Sequence, residues 1–503
     1  MISRRSLFGA GAGALALPGV RITTGRTRHG VAWRQLDARL HGRLVLPGDA
    51  DYPTAKQLND QRFDAVSPAA VAYCAGASDV ARSLEFAQRH HIPFRVRSGG
   101  HSLAGFSTTT GLVIDVGGLN SITVGDGEVT IGPGAQGVDV TDALTPHGLA
   151  LVGGYHPSVA SGGFFQGGGL GLLTRSLGMG CDRIASARVV LADGSVVTAS
   201  PTRHRDLYWA IRGGGGGNFG VVTSYTLTPA PAPQIALTNL VWTYDRTADM
   251  LDGYARWLVD APRTLTGGIF ISLNDAGPGN TPVPAAFVAS TAGPAELESE
   301  VARLVSLTGA PIVRTPTAVV PYQPLLMNFY GCSTSTVAQC HRADNHPGGA
   351  IPRPAAYLLR SRLFTAPPSL STWQDVAAVL ETHRAAGQAR TIELVPFGGA
   401  VGDLSRTDTA FVHRDALFTV SYLVDIESPA AADPAGQAAA HAFVDAGFAV
   451  LDPASAGETY QNFIDTKLPD WAHSYYAENY RRLVRVKAEY DPGHAFRFAQ
   501  GVA

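Results

Sequence analysis

The chain is poor in cysteine, in charged residues and in long apolar runs, and each shortage excludes a class of protein. Its 4 cysteines among 503 residues are too few for a disulfide scaffold, although Cys332 and Cys340 could form one local bridge, and no C-x-x-C spacing predicts a zinc or iron–sulfur site. Charged residues make up 16% and the net charge is −2, so no basic face for nucleic acid is expected. After the first residues, no apolar run approaches the ~20 residues of a membrane span. The class of protein that is not excluded is a globular protein that acts on a small molecule.

The N-terminus has the pattern of an export signal. Arg4 and Arg5 form a charged start, and a stretch rich in Gly, Ala and Leu continues to Leu17. The paired arginines resemble those of a twin-arginine signal, whose pathway exports folded proteins. We therefore predict a leader over residues 1–22 and a secreted protein. The alternative is a leader without a targeting role, which would leave the protein in the cytoplasm.

Length and proline content predict two regions. A chain of 503 residues exceeds what one hydrophobic core usually serves. The segment from Pro229 to Pro233 alternates proline with alanine, which is stiff and cannot occupy a central strand. We expect it to separate a first region over residues 40–230 from a second region over residues 234–450.

Local patterns indicate α+β structure with mixed sheets. Ser78 is a candidate N-cap for a helix in which Val80 and Leu84 share one face. Turn residues at 125–127 and 193–194 separate β-rich runs and predict hairpins. Other predicted elements are strands over 112–116 and 417–424 and helices over 295–305 and 475–490.

Three glycine-rich patches are candidates for a ligand site. They occupy residues 97–102, 162–171 and 212–220. Glycine permits positive φ and lets backbone N–H groups approach an anion, so clustered glycines can hold a pyrophosphate without lysine. Each patch alone is more typical of a plain loop than of a ligand site.

The joint arrangement of these patches resembles one family. Residues 97–102 are similar to the flavinylation motif of the vanillyl-alcohol-oxidase superfamily with its PCMH-type FAD-binding domain, and the third patch resembles the closing signature of that domain. Tyr460-Gln461-Asn462-Phe463, Asn479-Tyr480 and residues 487–492 resemble the tail of berberine bridge enzyme. These matches span residues 51–500 in the family's order and spacing.

The resemblance implies an α+β fold with a PCMH-type FAD-binding domain, an α/β substrate domain, and a C-terminal segment over 455–503 that returns to the FAD domain. It implies FAD as the cofactor, attached through His101. The residues implied in cofactor binding are Arg97, Ser98, Gly99, Gly100, His101, Ser102, His156, Gly162, Gly163, Gly167, Gly168, Gly169, Gly217, Asn218, Gly220, Val222 and Asn462.

Two departures from the family pattern affect these expectations. Bicovalent members carry a flavin-binding cysteine where this chain has His156 before Pro157, and no cysteine lies between Cys74 and Cys181. A single histidyl link, similar to that of hydroxynicotine-oxidase-like members, is therefore expected. Ala160-Ser161 stands where relatives often have Gly-Val. His156 could line the flavin pocket or be an ordinary core or surface histidine.

Two residues are candidates for proton transfer. The resemblance points to Tyr460, which is a poor base at pH 7 unless a positive charge or hydrogen bond stabilises its phenolate; packing against the flavin is the alternative. Glu393 alternates with apolar neighbours and is expected to lie on one face of a strand. It could act as a base or bind a substrate hydroxyl, or it could be a surface or salt-bridged glutamate.

The function implied is oxidation of a small organic alcohol or amine by hydride transfer to FAD, with electrons passed to dioxygen. A same-fold dehydrogenase with another acceptor and a non-catalytic drug-binding flavoprotein are the alternatives. The berberine-bridge-type tail disfavours a cell-wall sugar-nucleotide reductase. The substrate and the oligomeric state are open at this point, and neither nucleic acid nor a membrane is expected as a partner.

Overall fold

The computed structural model describes residues 31–503, so the predicted leader over 1–22 lies outside the described residues. The strands are β1 (Arg43–Val45), β2 (Ala70–Tyr73), β3 (Phe94–Arg97), β4 (Leu112–Asp115), β5 (Ile122–Val124), β6 (Val129–Ile131), β7 (Leu149–Ala150), β8 (Ile184–Val190), β9 (Val196–Ala199), β10 (Val221–Leu227), β11 (Ala230–Pro231), β12 (Gln234–Val241), β13 (Leu265–Leu273), β14 (Val283–Ser290), β15 (Val313–Arg314), β16 (Ala318–Pro321), β17 (Ala356–Phe364), β18 (Ala389–Pro396) and β19 (Phe418–Ile426).

The α-helices alternate with these strands. They are α1 (Trp33–Asp37), α2 (Tyr52–Ala55), α3 (Ala77–Arg89), α4 (Gly137–Leu144), α5 (Ser161–Gln166), α6 (Thr174–Leu177), α7 (Arg205–Ala210), α8 (Thr247–Val259), α9 (Pro294–Thr308), α10 (Tyr322–Phe329), α11 (Leu370–Ala378), α12 (Pro434–Leu451), α13 (Trp471–Tyr476) and α14 (Tyr480–Tyr490).

The first half of the chain builds two sheets. One has the order β1-β2-β4-β3, with β2 and β3 parallel to β4, and the other has the order β5-β6-β10-β8-β9 with antiparallel neighbours. The two predicted hairpins are confirmed as β5–β6 and β8–β9. The proline-rich segment contributes only the two-residue strand β11, which pairs with β7.

The second half is organised around one eight-stranded antiparallel sheet. Its order is β15-β12-β14-β13-β18-β19-β17, with β16 also paired to β12. Helices α8, α9, α11 and α12 pack on one face and form a core with apolar residues of the sheet. Because side chains alternate along a strand, the remaining residues of β17, β18 and β19 project from the opposite face. This opposite face forms part of the candidate site.

The C-terminal segment packs against the first half, as the fold prediction states. Tyr475, Tyr476 and Leu483 belong to the same buried cluster as residues of β8 and β10. Lys487, in α14, is fully buried, and its Nζ donates to the carbonyl of Asn218 at 2.6 Å. The segment thereby fixes the third glycine-rich patch.

Three local predictions need correction or completion. Helix α3 begins at Ala77 with Gly76 as its N-cap, so Ser78 lies inside the first turn. The helix predicted over 475–490 is broken at Ala477, where φ is +39°; just beyond the break, the buried Asn479 donates to the carbonyl of Arg406 at 2.7 Å. Cys332 and Cys340 form a disulfide.

Candidate active site

A cavity of about 920 Å³ lies between the sheets of the first half and the eight-stranded sheet. All three glycine-rich patches, the eight-stranded sheet and the C-terminal segment contribute to its wall. The predicted site residues that line it are Ser98, Gly99, Gly100, His101, Ser102, His156, Gly162, Gly163, Gly217, Asn218, Gly220, Val222, Glu393, Tyr460 and Asn462.

The glycines leave room for a large ligand at this wall. A Cβ on Gly163 would meet no atom within 4 Å and would project into open space, and a Cβ on Gly217 would meet only Phe498, at 3.9 Å. In contrast, a Cβ on Gly162 would approach Ser98 Oγ to 2.8 Å, so this glycine allows the first two patches to pack closely. Bare backbone around an open cavity is suited to an anionic dinucleotide.

Two arginines extend this wall. Arg95, on β3, and Arg497, in the C-terminal segment, border the cavity, and neither forms a salt bridge within residues 31–503. Burial, and then the charge of Arg497, lower the pKa of Arg95. The glycine wall and this arginine pair fit the phosphates of FAD.

His101 belongs to a short hydrogen-bonded chain. Its Nε2 lies 2.9 Å from Ser158 Oγ, which lies 3.2 Å from Nδ1 of His156. If Ser158 donates to His156, it accepts from Nε2–H of His101, and the lone pair of His101 Nδ1 is then available as a nucleophile. Burial lowers the pKa of His101 well below its usual range and that of His156 to about 4, so both rings are neutral at pH 7.

Four predicted cofactor residues do not border the cavity. Arg97 forms a buried ion pair with Asp115 instead. Gly167 makes room for Asn462, since a Cβ there would lie 1.9 Å from Asn462 Oδ1. Gly168 and Gly169 adopt φ of +133° and +88° and pack against Tyr460 and Phe164. These residues shape the neighbours of the cavity and not its surface, so their predicted contact with the cofactor stays a prediction.

The hydroxyl of Tyr460 accepts three N–H groups. The donors are the backbone of Gly169 at 2.8 Å, the backbone of Leu170 at 3.2 Å and Nδ2 of Asn462 at 2.9 Å. Burial is the largest influence and raises the pKa of Tyr460 above 10, while the three donors lower it. The phenol is therefore protonated at neutral pH, and its position is fixed by the second patch.

Glu393, on the eight-stranded sheet, is a carboxyl with a raised pKa. It lies on β18, opposite Ser421 of β19, and borders the cavity. Burial raises its pKa to about 7, and a hydrogen bond with Ser421 acts in the opposite direction. No salt bridge to Glu393 is found within the described residues. A carboxyl with a pKa near 7 is better matched to proton abstraction than the Tyr460 phenol.

Sequence reasoning missed several residues of the wall. Tyr155, Tyr357 and Asp425 surround the Glu393 side of the cavity, and Ser158 orients His101. Tyr357 and Asp425 stand directly opposite each other on β17 and β19, a pairing that only the sheet register brings about. No motif in the sequence distinguishes them from ordinary strand residues.

Gln461 connects the cavity wall to a buried charged group. Its Nε2 donates to the carbonyl of Gly213, and its Oε1 lies 3.2 Å from Nε2 of His413. His413 Nδ1 in turn lies 2.6 Å from Glu458. The pKa of Glu458 is lowered to about 2 because the hydrogen bonds and charges of His413 and Arg406 outweigh its burial. This network holds the third patch to the C-terminal segment.

Comparison with known proteins adds to this geometry. Residues 68–200 match the family model described as FAD binding domain, and residues 459–503 match the model described as Berberine and berberine like. An uncharacterized FAD-linked oxidoreductase of Bacillus subtilis (strain 168), YgaK, is 30% identical over 476 residues, covering 92% of this chain and 97% of the relative. The chain belongs to the berberine-bridge-enzyme-like FAD-linked oxidoreductases.

Other family members share the fold or the sequence over most of the chain. Chitooligosaccharide oxidase of Gibberella zeae is 27% identical over 451 residues, covering 86% of this chain and 87% of the relative. The structure of Physcomitrella patens BBE-like 1 matches with a TM-score of 0.82 at 21% identity and covers 93% of this chain and 98% of that chain. The protein is thus an FAD-dependent oxidoreductase with the predicted PCMH-type fold.

Proposed function

We propose that this family member is an oxidase of a small organic alcohol or amine, with FAD held through a single covalent link to His101. The observation that carries the proposal is the placement of His101, Glu393 and Tyr460 on one cavity. Chitooligosaccharide oxidase, a family relative, is named for an oxidase activity. Bound FAD supplies the two-electron acceptor. The substrate loses two hydrogen atoms, and dioxygen gains them as hydrogen peroxide.

The residues of the chain have separate tasks in this proposal. Glu393 takes the proton from the substrate hydroxyl or amine, since its pKa of about 7 makes it half ionised at neutral pH. Tyr460 stays protonated and orients the substrate by a hydrogen bond. His101 is neutral, as a nucleophile that bonds to the cofactor must be, and Ser158 sets its tautomer.

The test is substrate-dependent peroxide formation by the purified holoenzyme. Alcohols and amines are mixed with the yellow protein without oxygen, and air is then admitted. The proposal predicts that the yellow flavin absorbance is lost in the first step, when the substrate reduces the flavin. When air is admitted, the absorbance should return, and one molecule of hydrogen peroxide should form for each molecule of substrate. Bleached flavin that persists in air indicates a dehydrogenase, and tight binding without bleaching indicates a binding protein.

We also propose that the leader directs export in the folded state. The disulfide between Cys332 and Cys340 supports this proposal, because such bonds persist mainly in oxidising compartments. The test compares cells that express the protein with the wild-type leader and cells that express the double variant Arg4→Lys, Arg5→Lys. Cell fractionation then shows where each protein is located. Equal cytoplasmic retention of both proteins would contradict export.

A further inference from the structure

We propose that the substrate of this site is an amine that binds as its ammonium cation, recognised by carboxylates of the eight-stranded sheet. This inference rests on the proposed oxidase function and names its substrate class. It concerns the side of the cavity formed by β17, β18 and β19, where Glu393, Asp425 and Glu427 all border the open space.

The three carboxyls form a row that leads inward from the surface. Glu427 is exposed just beyond the end of β19, and Asp425 precedes it by two residues on the same face. Glu393 lies further in, opposite Ser421, four residues from Asp425 along β19. A row of like charges in a cleft concentrates ions of opposite sign and guides them inward. We refer to Glu427, Asp425 and Glu393 as the acidic row.

The acidic row has no cationic partner within residues 31–503. None of its members takes part in a salt bridge there, whereas other carboxylates near the cavity do: Asp60 pairs with Arg62, and Asp64 pairs with Arg353. Asp425 and Glu427 also repel each other, and burial together with Glu427 raises the pKa of Asp425 to about 6. Carboxylates that leave water are normally paired, so a cation from outside the chain is the missing partner.

Buried polar atoms with no hydrogen-bond partner lie on the same face of the sheet. Asp425 Oδ1 is buried and lacks a donor within the described residues. Ser361, on β17 opposite Ser421, is fully buried, and its hydroxyl also lacks a partner in the described chain. A buried carboxylate oxygen can only accept, so the group that satisfies it must donate. An ammonium ion supplies both N–H donors and the compensating charge.

Two tyrosines complete the surroundings of a cation. Tyr155 and Tyr357 border the cavity, and the pKa of each is raised by burial and then by Glu393, which places both rings near this carboxyl. Both phenols are neutral at pH 7, so the two rings add no charge of their own to this part of the cavity. Aromatic faces attract ammonium groups, most strongly where water is excluded. Carboxylates combined with aromatic rings form an environment selective for amines.

The distribution of charge argues against an anionic substrate. The arginines of the cavity without salt bridges in the described chain, Arg95 and Arg497, belong to the FAD-binding half, and the phosphates of FAD would occupy them. Near Glu393, the described residues of the eight-stranded sheet that border the cavity are carboxylates and neutral groups. A carboxylate or phosphate substrate would be repelled there, and a neutral alcohol would leave the acidic row without a counter-ion.

The direct test compares a cation with its uncharged isostere on the holoenzyme. Choline and 3,3-dimethylbutan-1-ol differ only by the positively charged nitrogen, so the ratio of their dissociation constants isolates the charge. Titration calorimetry should show choline binding at least about tenfold more tightly. Glu393→Gln and Asp425→Asn should each reduce this ratio severalfold, whereas Glu128→Gln, at an exposed turn remote from the cavity lining, should not. Equal binding of the two probes by the wild-type protein would overturn the inference.

A second experiment separates this inference from the oxidase function. Primary amines and the alcohols of matching carbon skeleton are screened without oxygen for flavin bleaching. Bleaching by amines, with little by the matched alcohols, is the expected result. Bleaching by alcohols alone would overturn the amine inference and leave the oxidase function intact. Bleaching by neither class, together with tight choline binding, would overturn the oxidase function while the cation site stands.

Discussion

The hydroxyl of Tyr460 lies 2.8 Å from the backbone N–H of Gly169, 291 residues earlier in the chain. This hydrogen bond joins the C-terminal segment to the second glycine-rich patch. A buried phenol that accepts three N–H groups is fixed in place, and its raised pKa keeps it protonated at neutral pH. We therefore propose Glu393, and not Tyr460, as the base.

Glu393→Gln should slow flavin reduction by substrate by about 10²–10⁴-fold, the usual contribution of a general base. Glutamine keeps the shape and the hydrogen-bonding capacity but cannot take a proton. Anaerobic stopped-flow measurement of the limiting reduction rate provides the value. The same measurement on Glu128→Gln is the control, and a Glu393→Gln rate close to wild type would remove Glu393 from proton transfer.

Tyr460→Phe should lower the limiting rate by only about tenfold, because the proposed hydrogen bond to the substrate and the three that fix the hydroxyl are lost while the ring packing against Phe411 and Phe463 remains. Tyr254→Phe is the matched control, since Tyr254 is fully buried and its hydroxyl has no hydrogen-bond partner in the described chain. A loss for Tyr460→Phe as large as that for Glu393→Gln would show that Tyr460 is the base after all.

The limiting rate of flavin reduction should rise with pH and level off above about 7. The pKa of Glu393 is raised to about 7 by burial, so the carboxyl is protonated and inactive below that pH and ionised above it. Tyr155 and Tyr357, which face it, do not titrate in this range because burial raises the pKa of each, whereas Asp425 of the acidic row has a pKa raised to about 6 and titrates at lower pH than Glu393. In Glu393→Gln the inflection should vanish; its persistence would assign it to another group.

Two glycines of the second patch should respond differently to alanine. Gly167→Ala places a Cβ 1.9 Å from Asn462 Oδ1 and should cost about 1–3 kcal/mol of unfolding free energy, measured by urea denaturation. Gly163→Ala meets no atom within 4 Å and should leave the unfolding free energy of the FAD-free protein unchanged. Its methyl group enters the cavity, so the fraction of chains that acquire covalent FAD, measured after acid denaturation, should fall. The reverse pattern would contradict the assignment of the two glycines.

Much of the fold could be predicted from local sequence. The hairpins follow from turn residues between short apolar runs, and the apolar face of α3, with Val80 and Leu84 fully buried, follows from helical spacing. The break at Ala477 could not be predicted, because no proline or glycine marks it, and the hydrogen bond beside it runs from Asn479 to the carbonyl of Arg406, 73 residues away. Contacts of this kind leave no periodic signal.

The residues of the candidate site could be predicted where they belong to a recognisable sequence motif, and the others could not. Patterns located His101, Tyr460 and Glu393, all of which line the cavity. The same patterns placed Arg97 at the cofactor, although its guanidinium pairs with Asp115 inside the fold. The acidic row and its tyrosines arise from the register of β17, β18 and β19, which a single sequence does not reveal.

Ser158→Ala should slow cofactor attachment without preventing cofactor binding. Ser158 Oγ lies 2.9 Å from His101 Nε2, and if it donates to His156 it keeps the proton of His101 on Nε2. Without it, part of the His101 population adopts the tautomer in which Nδ1 is protonated and cannot act as a nucleophile. The fraction of chains with covalent flavin, followed over time after FAD is added to FAD-free protein, should rise severalfold more slowly than in wild type. An unchanged time course would leave Ser158 without a role in attachment.

The central claim is an FAD-dependent oxidase whose cofactor is held by His101 in this cavity. The intact mass of the purified chain after acid denaturation tests it most directly. The account predicts that the wild-type chain retains one FAD and that folded His101→Ala retains none. A wild-type chain that releases all of its FAD, or a His101→Ala chain that still carries it covalently, would contradict the account.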